Sequence, residues 1–186
     1  MKKIALILGL MFWIVGLCLS QEGIYKSEKG EIHFESKATL ETIEAKSNEL
    51  NGVLQPDKKA FAFTVDITSF KGFNSDIQQT HFQEDYMETE TYPKASFKGK
   101  LIEDIPFDTP GTYQVRAKGE LMIHGIAKER IIKGTITIRP GSIQIQSDFS
   151  VPLADHGISI PRIVNQKIAE QIMVNIRIEF AQGSKT

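Results

Sequence analysis

Alternation of apolar and polar residues with a period of two is the sequence feature that most limits the folds open to this chain. In the stretch TYQVRAKGELMIH, residues 112–124, the odd positions hold Tyr, Val, Ala, Gly, Leu and Ile, while positions 114 to 120 between them hold Gln, Arg, Lys and Glu. Successive side chains of a β-strand point to opposite faces of the sheet. The pattern therefore predicts a strand with one buried face and one face in water.

The same alternation recurs along most of the chain. Residues that favour turns separate the alternating stretches at the regular spacing of a sandwich or barrel. We therefore predict one all-β domain, an eight-stranded antiparallel lipocalin-like barrel. Strands are expected around residues 32–38, 61–67, 95–101, 113–123, 132–138, 143–151 and 172–180, with a shorter strand flanked by turns at Asn51-Gly52 and Pro56-Asp57, and with a hairpin turn at 124–129.

Two segments interrupt the alternation. Residues 74–87 place apolar side chains near helical spacing, and Asn74 or Ser75 is available as the helix N-cap. Residues 153–171 read as a long loop with one helical turn near Lys167. Because a closed barrel pairs its own edges, such segments are free to cover its ends. We expect the short helix to cover one end.

The N-terminus reads MKKIALILGLMFWIVGLCLS, two lysines followed by an uncharged apolar run and small residues. This pattern predicts a secretory signal peptide over residues 1–20 and a mature domain over 21–186. A retained membrane anchor is one alternative. A lipoprotein acylated on Cys18 is another, although Leu17 is larger than the residue usual before a lipidated cysteine.

The mature chain would hold 166 residues (186 minus 20) and no cysteine, so its stability must come from its core, for which this length suffices. Removing Lys2 and Lys3 leaves 20 basic against 23 acidic residues, a formal charge of −3. This balance does not favour a nucleic-acid partner. Once the signal peptide is removed, we expect no stable membrane insertion.

An acidic segment offers the raw material for chemistry. It holds one histidine and four carboxylates, His81, Glu84, Asp85, Glu88 and Glu90, of the kinds used by glycosidases and metal sites. Their spacing matches no recognisable metal motif. On a helix, the acidic residues and the two aromatic residues of this segment fall on different faces. An amphipathic cover therefore explains the segment, with His81 as a structural anchor and no metal.

Small residues recur among the positions predicted to face inward. They favour either a hollow interior that holds one ligand or bends in curved strands, and the sequence leaves both interpretations open. The positions are Ser36, Ala38, Gly99, Ala117, Gly119, Gly134 and Ser147.

Two motifs resemble those of a known family. HFQEDYMETETYPKASFKGK, residues 81–100, and GELMIHGIAKERIIKGTITI, residues 119–138, are similar to segments of the YceI-like family of exported lipid-binding proteins. The resemblance implies a lipocalin-like barrel, often dimeric, whose apolar interior holds an isoprenoid or another long-chain lipid. It also implies a Gram-negative cell envelope, usually the periplasm. The chain departs from the family pattern at Gly30-Glu31 and at residues 127–129, which bear on the identity of the lipid.

We therefore predict non-enzymatic binding, transport or storage of a long-chain apolar lipid, with no cofactor and with a homodimer as the resemblance implies. An envelope hydrolase that uses residues 81–90 and a solidly packed barrel without cargo are the alternatives. The residues expected to contact lipid are large apolar side chains on the inward faces and at the mouth: Phe34, Phe61, Phe63, Phe73, Phe82, Tyr86, Met87, Phe97, Leu121, Ile123, Ile136, Phe149 and Ile176.

Overall fold

The computed structural model describes residues 23–181, so the proposed signal peptide lies outside the described residues. Eight antiparallel strands each pair with the next, and the last pairs with the first to close a barrel. The predicted fold class is thus confirmed, including its one short helix. The strands are β1 (Tyr25–Lys37), β2 (Thr42–Gln55), β3 (Ala60–Asp66), β4 (Lys94–Leu101), β5 (Gly111–Ile123), β6 (Ile126–Arg139), β7 (Ser142–Pro152) and β8 (Gln171–Ala181), and the helix α1 is Asp76–His81.

The up-and-down order places alternate connections at opposite ends of the barrel. At the end that we call the short end, β2 joins β3 through a single 3₁₀ turn, Pro56–Lys58, and β6 joins β7 through Pro140 and Gly141. At the other end, the open end, residues 67–93 connect β3 to β4 and residues 153–170 connect β7 to β8. The long segments therefore gather at the open end, where they can cover the barrel mouth.

Alternation places one face of each strand in the core. In β5, Val115 and Leu121 are buried, whereas Arg116, Lys118 and Glu120 are exposed, as the sequence predicts. The most buried large side chains of the described residues include Leu54 of β2, Ile136 of β6, and Ile178 and Phe180 of β8, each at most 1 % exposed.

The Asn51-Gly52 pair does not form the predicted turn. Both residues lie within β2, where Asn51 pairs with Thr64 and Gly52 with Phe63. A Cβ on Gly52 would lie 2.6 Å from the Ile178 side chain. The glycine thus makes room for core side chains, a role that resembles a turn signal when only the sequence is read.

The β5–β6 hairpin is tighter than the sequence predicts. Only His124 and Gly125 separate the strands, and both adopt left-handed backbone with φ of 51° and 70°. This geometry fits a two-residue hairpin turn, in which both central residues have positive φ. The rest of the predicted turn, residues 126–129, therefore begins β6.

The seam between β6 and β7 changes along its length. Backbone pairing runs from Arg139 with Ser142 to Thr135 with Gln146. Past that point, side chains join the two strands: the Ser147 hydroxyl donates to the Lys133 carbonyl at 2.6 Å. Further along, the guanidinium of Arg130 donates to the carbonyl of Ser150 at 2.8 Å. The half of the seam near the open end thus depends on individual side chains rather than on a regular ladder.

Candidate functional site

A helical cover, residues 76–86, crosses the open end. Ser75 is the N-cap of α1, since its hydroxyl accepts from the Gln78 amide at 3.3 Å. The helix continues as a π-helical turn over Phe82–Tyr86. The predicted helix is therefore present, in two parts, and Ser75 rather than Asn74 caps it.

An aromatic cluster holds the cover against β1. The Phe34 ring stacks on Phe82 at 5.3 Å between centroids and meets Phe70 at 5.5 Å and Phe73 at 6.0 Å. Phe73 and Phe82 also contact each other at 5.0 Å. Such aromatic pairs each contribute about 0.5–1.5 kcal/mol beyond the burial of their area. The cluster therefore fixes the cover across the mouth.

The segment that follows the cover is anchored to the β5–β6 hairpin. His124 Nε2 lies 3.3 Å from the carboxylate of Glu88, an ion pair when the imidazole is protonated. The Tyr92 ring packs edge-on against His124 at 4.7 Å and leaves no room for a Cβ on Gly125. His81, which the sequence analysis assigned as the anchor, is exposed. The anchoring histidine is His124.

A second histidine lies beneath this contact. His156 is fully buried, and its Nδ1 donates to the Ile126 carbonyl at 3.0 Å. His124 Nδ1 donates to the carbonyl of His156 at 3.2 Å. Burial lowers the pKa of His156, because the charged imidazole is poorly solvated there. Hydrogen bonds of the neutral His156 thus join the β5–β6 hairpin to the segment after β7.

A cavity of about 510 Å³ lies inside the barrel beneath the cover. Its volume is within the range of about 300–1,000 Å³ that is typical of small-molecule sites. Apolar side chains from the barrel wall, the cover and the β7–β8 connection form most of its lining. Such a space suits an apolar ligand, since desolvating polar groups without partners is costly.

Most of the residues predicted to contact lipid come together around this cavity. All of them line it except Phe61 and Ile136. The Phe61 ring lies next to those of Phe63 and Phe97, at 5.6 and 5.0 Å, as ordinary core. Ile136 is fully buried within the barrel core. Direct contact of the lining residues with a ligand stays a prediction.

Sequence reasoning missed a large part of the lining. Ile172 and Val174 share the alternating face of Ile176, so the pattern could have identified them. Phe70 and Ile158 lie in connections, where no period marks an inward residue. The missed apolar lining residues include Ile32, Ile43, Leu50, Val65, Ile67, Phe70, Val151, Leu153, Ile158, Val164, Ile168, Ile172 and Val174.

Among the inward residues described above as small, Ser36 lines the cavity, and its hydroxyl accepts from the Ala169 amide at 2.9 Å. Gly99 pairs with Gly119 across β4 and β5. A Cβ on Gly99 would lie 2.1 Å from the carbonyl oxygen of Lys118. These glycines therefore serve the close approach of two strands, a role that neither interpretation named, and they do not line the cavity.

Polar groups line the cavity where it meets the surface. The side-chain amide of Gln78 donates to the carboxylate of Glu41 at 3.0 Å, which joins the cover to the β1–β2 connection. His81 and Lys167 also reach the lining, and both are exposed. Nearby, burial raises the pKa of Tyr86, with a smaller contribution from the charge of Asp85. A bound molecule can thus keep a polar end at the mouth and an apolar chain within.

The acidic segment does not form a cleft. Glu84, Asp85 and Glu90 are exposed, and Glu88 faces His124. Across residues 23–181, no three His, Cys, Asp or Glu side chains meet in an arrangement that could hold a metal ion. In the same residues, no helix is long and apolar enough to cross a membrane.

Comparison with solved structures finds the same fold in several bacterial proteins. A polyisoprenoid binding domain from Saccharophagus degradans, implicated in plant cell wall breakdown, has a TM-score of 0.72 and 14% identity over 87% of this chain and 99% of its own. BcnA of Burkholderia cenocepacia has a TM-score of 0.67 and 15% identity over 81% and 96%. The Campylobacter jejuni YCEI protein has a TM-score of 0.55 and 18% identity over 99% and 100%.

No curated protein sequence matches this chain. The family model of the YceI-like domain matches residues 25–180, from the start of β1 through the cover to the last residue but one of β8. The two motifs that carry the resemblance, residues 81–100 and 119–138, lie within that match. The chain therefore belongs to the YceI-like domain family.

Proposed function

We propose that this protein binds a long-chain apolar lipid, of isoprenoid or fatty-acyl type, within the barrel and acts as its carrier or store without catalysis. The observation that carries the proposal is the cavity of about 510 Å³ lined mainly by aromatic and aliphatic side chains. An aliphatic chain would lie in the apolar lining, and its polar end would remain near Glu41, Gln78 and Lys167.

Burial of the chain supplies the binding energy. Each methylene removed from water contributes about 0.8 kcal/mol, so a twenty-carbon chain gains on the order of 16 kcal/mol before the costs of ordering it. This gain needs few polar contacts, in agreement with the composition of the lining. The polyisoprenoid binding domain from Saccharophagus degradans supports the choice of ligand class, since it shares the fold of this chain.

We further propose that residues 1–20 direct export and are then removed, which leaves residues 21–186 as the working domain in the periplasm or outside the cell. Export would bring the cavity into the compartment that borders the outer leaflet of the inner membrane. This assignment rests on the charge and apolar pattern of the N-terminus.

A hydrolase is the less favoured function. The exposed positions of Glu84, Asp85 and Glu90 supply no enclosed pair of carboxylates that could share a substrate. The cavity likewise disfavours a solidly packed barrel without cargo.

Native mass spectrometry of the protein purified from a bacterial envelope without detergent tests the proposal. We expect a stoichiometric excess mass that organic extraction releases as a polyisoprenoid or fatty-acyl species. A bare polypeptide mass that does not change after incubation with such lipids contradicts lipid binding. Turnover of a glycoside or ester that is lost in Glu84→Gln would instead establish the hydrolase.

A further inference from the structure

The most exposed large apolar side chains of residues 23–181 are Ile163, Leu40 and Ile77, which are 92 %, 65 % and 61 % exposed. Single exposed apolar residues are common on protein surfaces, but a group of them marks an interaction site. We call these three residues the apolar rim.

The three connections that carry the rim meet at the open end. The backbone amide of Leu40 donates to the carbonyl of Gln166 at 2.8 Å, which joins the β1–β2 turn to the β7–β8 connection. The contact between Glu41 and Gln78 joins the same turn to α1. Hydrogen bonds thus bring three segments that are distant in sequence around one opening.

The rim is continuous with the cavity. Ile77 lines the cavity itself, Leu40 precedes the lining residue Glu41, and Ile163 precedes the lining residue Val164. The next most exposed apolar residues, Ile131 and Met173, lie instead within strands β6 and β8 and do not line the cavity. The strongest exposure of apolar surface therefore coincides with the opening of the cavity.

The charges around the rim are mainly negative. The connections that carry it, residues 38–41, 67–93 and 153–170, hold three basic residues and eight acidic ones, and four of the acidic residues lie in residues 84–90, past α1. An anionic partner would therefore gain nothing from electrostatic attraction. An apolar rim that borders an apolar cavity fits the interface of a lipid bilayer, into which exposed apolar side chains partition by burial.

We propose that the apolar rim docks reversibly on the surface of a lipid bilayer, without stable insertion, so that the cavity opens directly onto the membrane that supplies or receives the lipid. The route of the lipid rests on the proposed function, whereas docking of the rim does not require a bound lipid. A lipid chain that moves from the bilayer to the cavity would then remain on apolar surface throughout.

Flotation of the processed protein with vesicles tests the docking. One set of vesicles contains phosphatidylethanolamine and phosphatidylglycerol, and the other contains phosphatidylcholine alone. The test variant is Leu40→Ser with Ile163→Ser, which leaves the cavity lining intact. The matched control is Ile131→Ser with Met173→Ser, which removes the next most exposed apolar side chains, on strands β6 and β8 rather than on the rim.

We expect the wild type and the control to bind both kinds of vesicle, and the rim variant to bind at least about tenfold more weakly, since each apolar side chain that inserts is worth roughly that factor. Added salt should not weaken binding, because the charge near the rim is mainly negative and does not attract an anionic bilayer. Equal binding by the rim variant and the control overturns the proposal. The proposal is also overturned if the wild type does not bind vesicles but dimerises through the rim in analytical ultracentrifugation.

A second measurement separates this inference from the proposed function. A fluorescent isoprenoid probe is delivered either from dilute solvent or from donor vesicles. We expect the rim variant to take up the probe normally from solvent but at least about tenfold more slowly from vesicles. If the wild type takes up no probe from either source but its flotation still depends on the rim, lipid binding is contradicted and docking is supported. If the rim variant takes up the probe from vesicles at the wild-type rate, docking is contradicted and lipid binding is supported.

Discussion

The two ends of the barrel are built from the same strands, yet one is packed and the other holds a cavity. Beside the turn at Pro56–Lys58, Leu54 is fully buried, and Phe180 near the end of β8 is fully buried as well. At the open end, side chains that face inward, such as Phe149 and Val174, border a space of about 510 Å³.

The connections account for this difference. Short turns at the short end let side chains from facing strands meet, and the β4–β5 connection adds Ile105 and Phe107 to the core. At the open end, the cover is held by its own contacts with Phe34, Phe70 and Phe73. It therefore spans the mouth and leaves the interior beneath it unfilled.

Truncation of one phenylalanine at each end gives the largest expected contrast. Phe180→Ala should lower the free energy of unfolding by about 3–5 kcal/mol, because it creates a cavity in a fully buried site. Phe149→Ala should cost about 1–2 kcal/mol in lipid-free protein, since its ring already borders empty space. Denaturant unfolding of both variants measures the difference. Equal losses would mean that the open end is packed as tightly as the short end.

Enlargement of a side chain sharpens the same comparison. Ile136→Phe should cost about 1–3 kcal/mol, because a fully buried position has no room for a larger ring. Ala95→Phe should leave stability nearly unchanged, because the new ring enters the cavity, and should weaken lipid binding at least about tenfold. Denaturant unfolding and titration with a fluorescent lipid measure the two effects. Undiminished lipid binding by Ala95→Phe would place the lipid elsewhere.

The barrel could be predicted from the sequence because strand periodicity is local. In β5, the apolar or polar character of each residue identifies the face of the sheet on which its side chain lies. Val115 and Leu121 are buried, as the alternation predicts. Alternation does not report depth along the barrel axis, however. Ile123 and Ile136 both belong to alternating inward sets, yet Ile123 borders the cavity and Ile136 does not.

The rest of the site depends on connections and pairing, which carry no comparable pattern. Phe70 and Ile158 reach the cavity only because hydrogen bonds and packing fold their loops inward. Glycine is a residue type common in turns, but Gly52 lies within β2. Its role there is to leave room for the side chains of Ile178 and Phe180. Such roles are properties of the assembled barrel.

The two halves of the β6–β7 seam provide a smaller contrast. Arg130→Gln should lower the free energy of unfolding by about 1–2 kcal/mol, because it removes a charged donor to the Ser150 carbonyl and a contact with Asp155 at 3.6 Å. Hydrogen exchange should rise in residues 147–152 and stay unchanged in residues 142–146, where the backbone ladder persists.

Arg116→Gln is the control for this prediction, since Arg116 forms a comparable pair at 2.7 Å with Glu103, which joins β5 to the β4–β5 connection rather than β6 to β7. It should leave exchange along β7 unchanged. An equal rise in exchange along both parts of β7 in Arg130→Gln would show that this arginine stabilises the barrel as a whole rather than the weaker half of the seam.

Acidification should destabilise the open end while the short end stays intact. The lowered pKa of His156 determines the direction of this effect. Its pKa is lowered by burial in the folded protein, so the unfolded chain takes up the proton first as the pH falls. The stabilising contribution of neutral His156 is therefore complete above about pH 6.5 and is lost as the pH falls toward the folded pKa, with a slope of at most about 1.4 kcal/mol per pH unit.

The charged neighbours of His156 oppose each other, since Asp155 favours the proton and Arg130 disfavours it. Other ionisable groups also contribute to the pH dependence of stability, so the measurement has to be a difference between two proteins. His156→Asn keeps an N–H donor for the Ile126 carbonyl but does not titrate. Its unfolding free energy should depend less steeply on pH than that of the wild type, while the contributions of all other groups are common to both. Parallel pH profiles would contradict the prediction and would mean that the hairpin tip tolerates a charged His156.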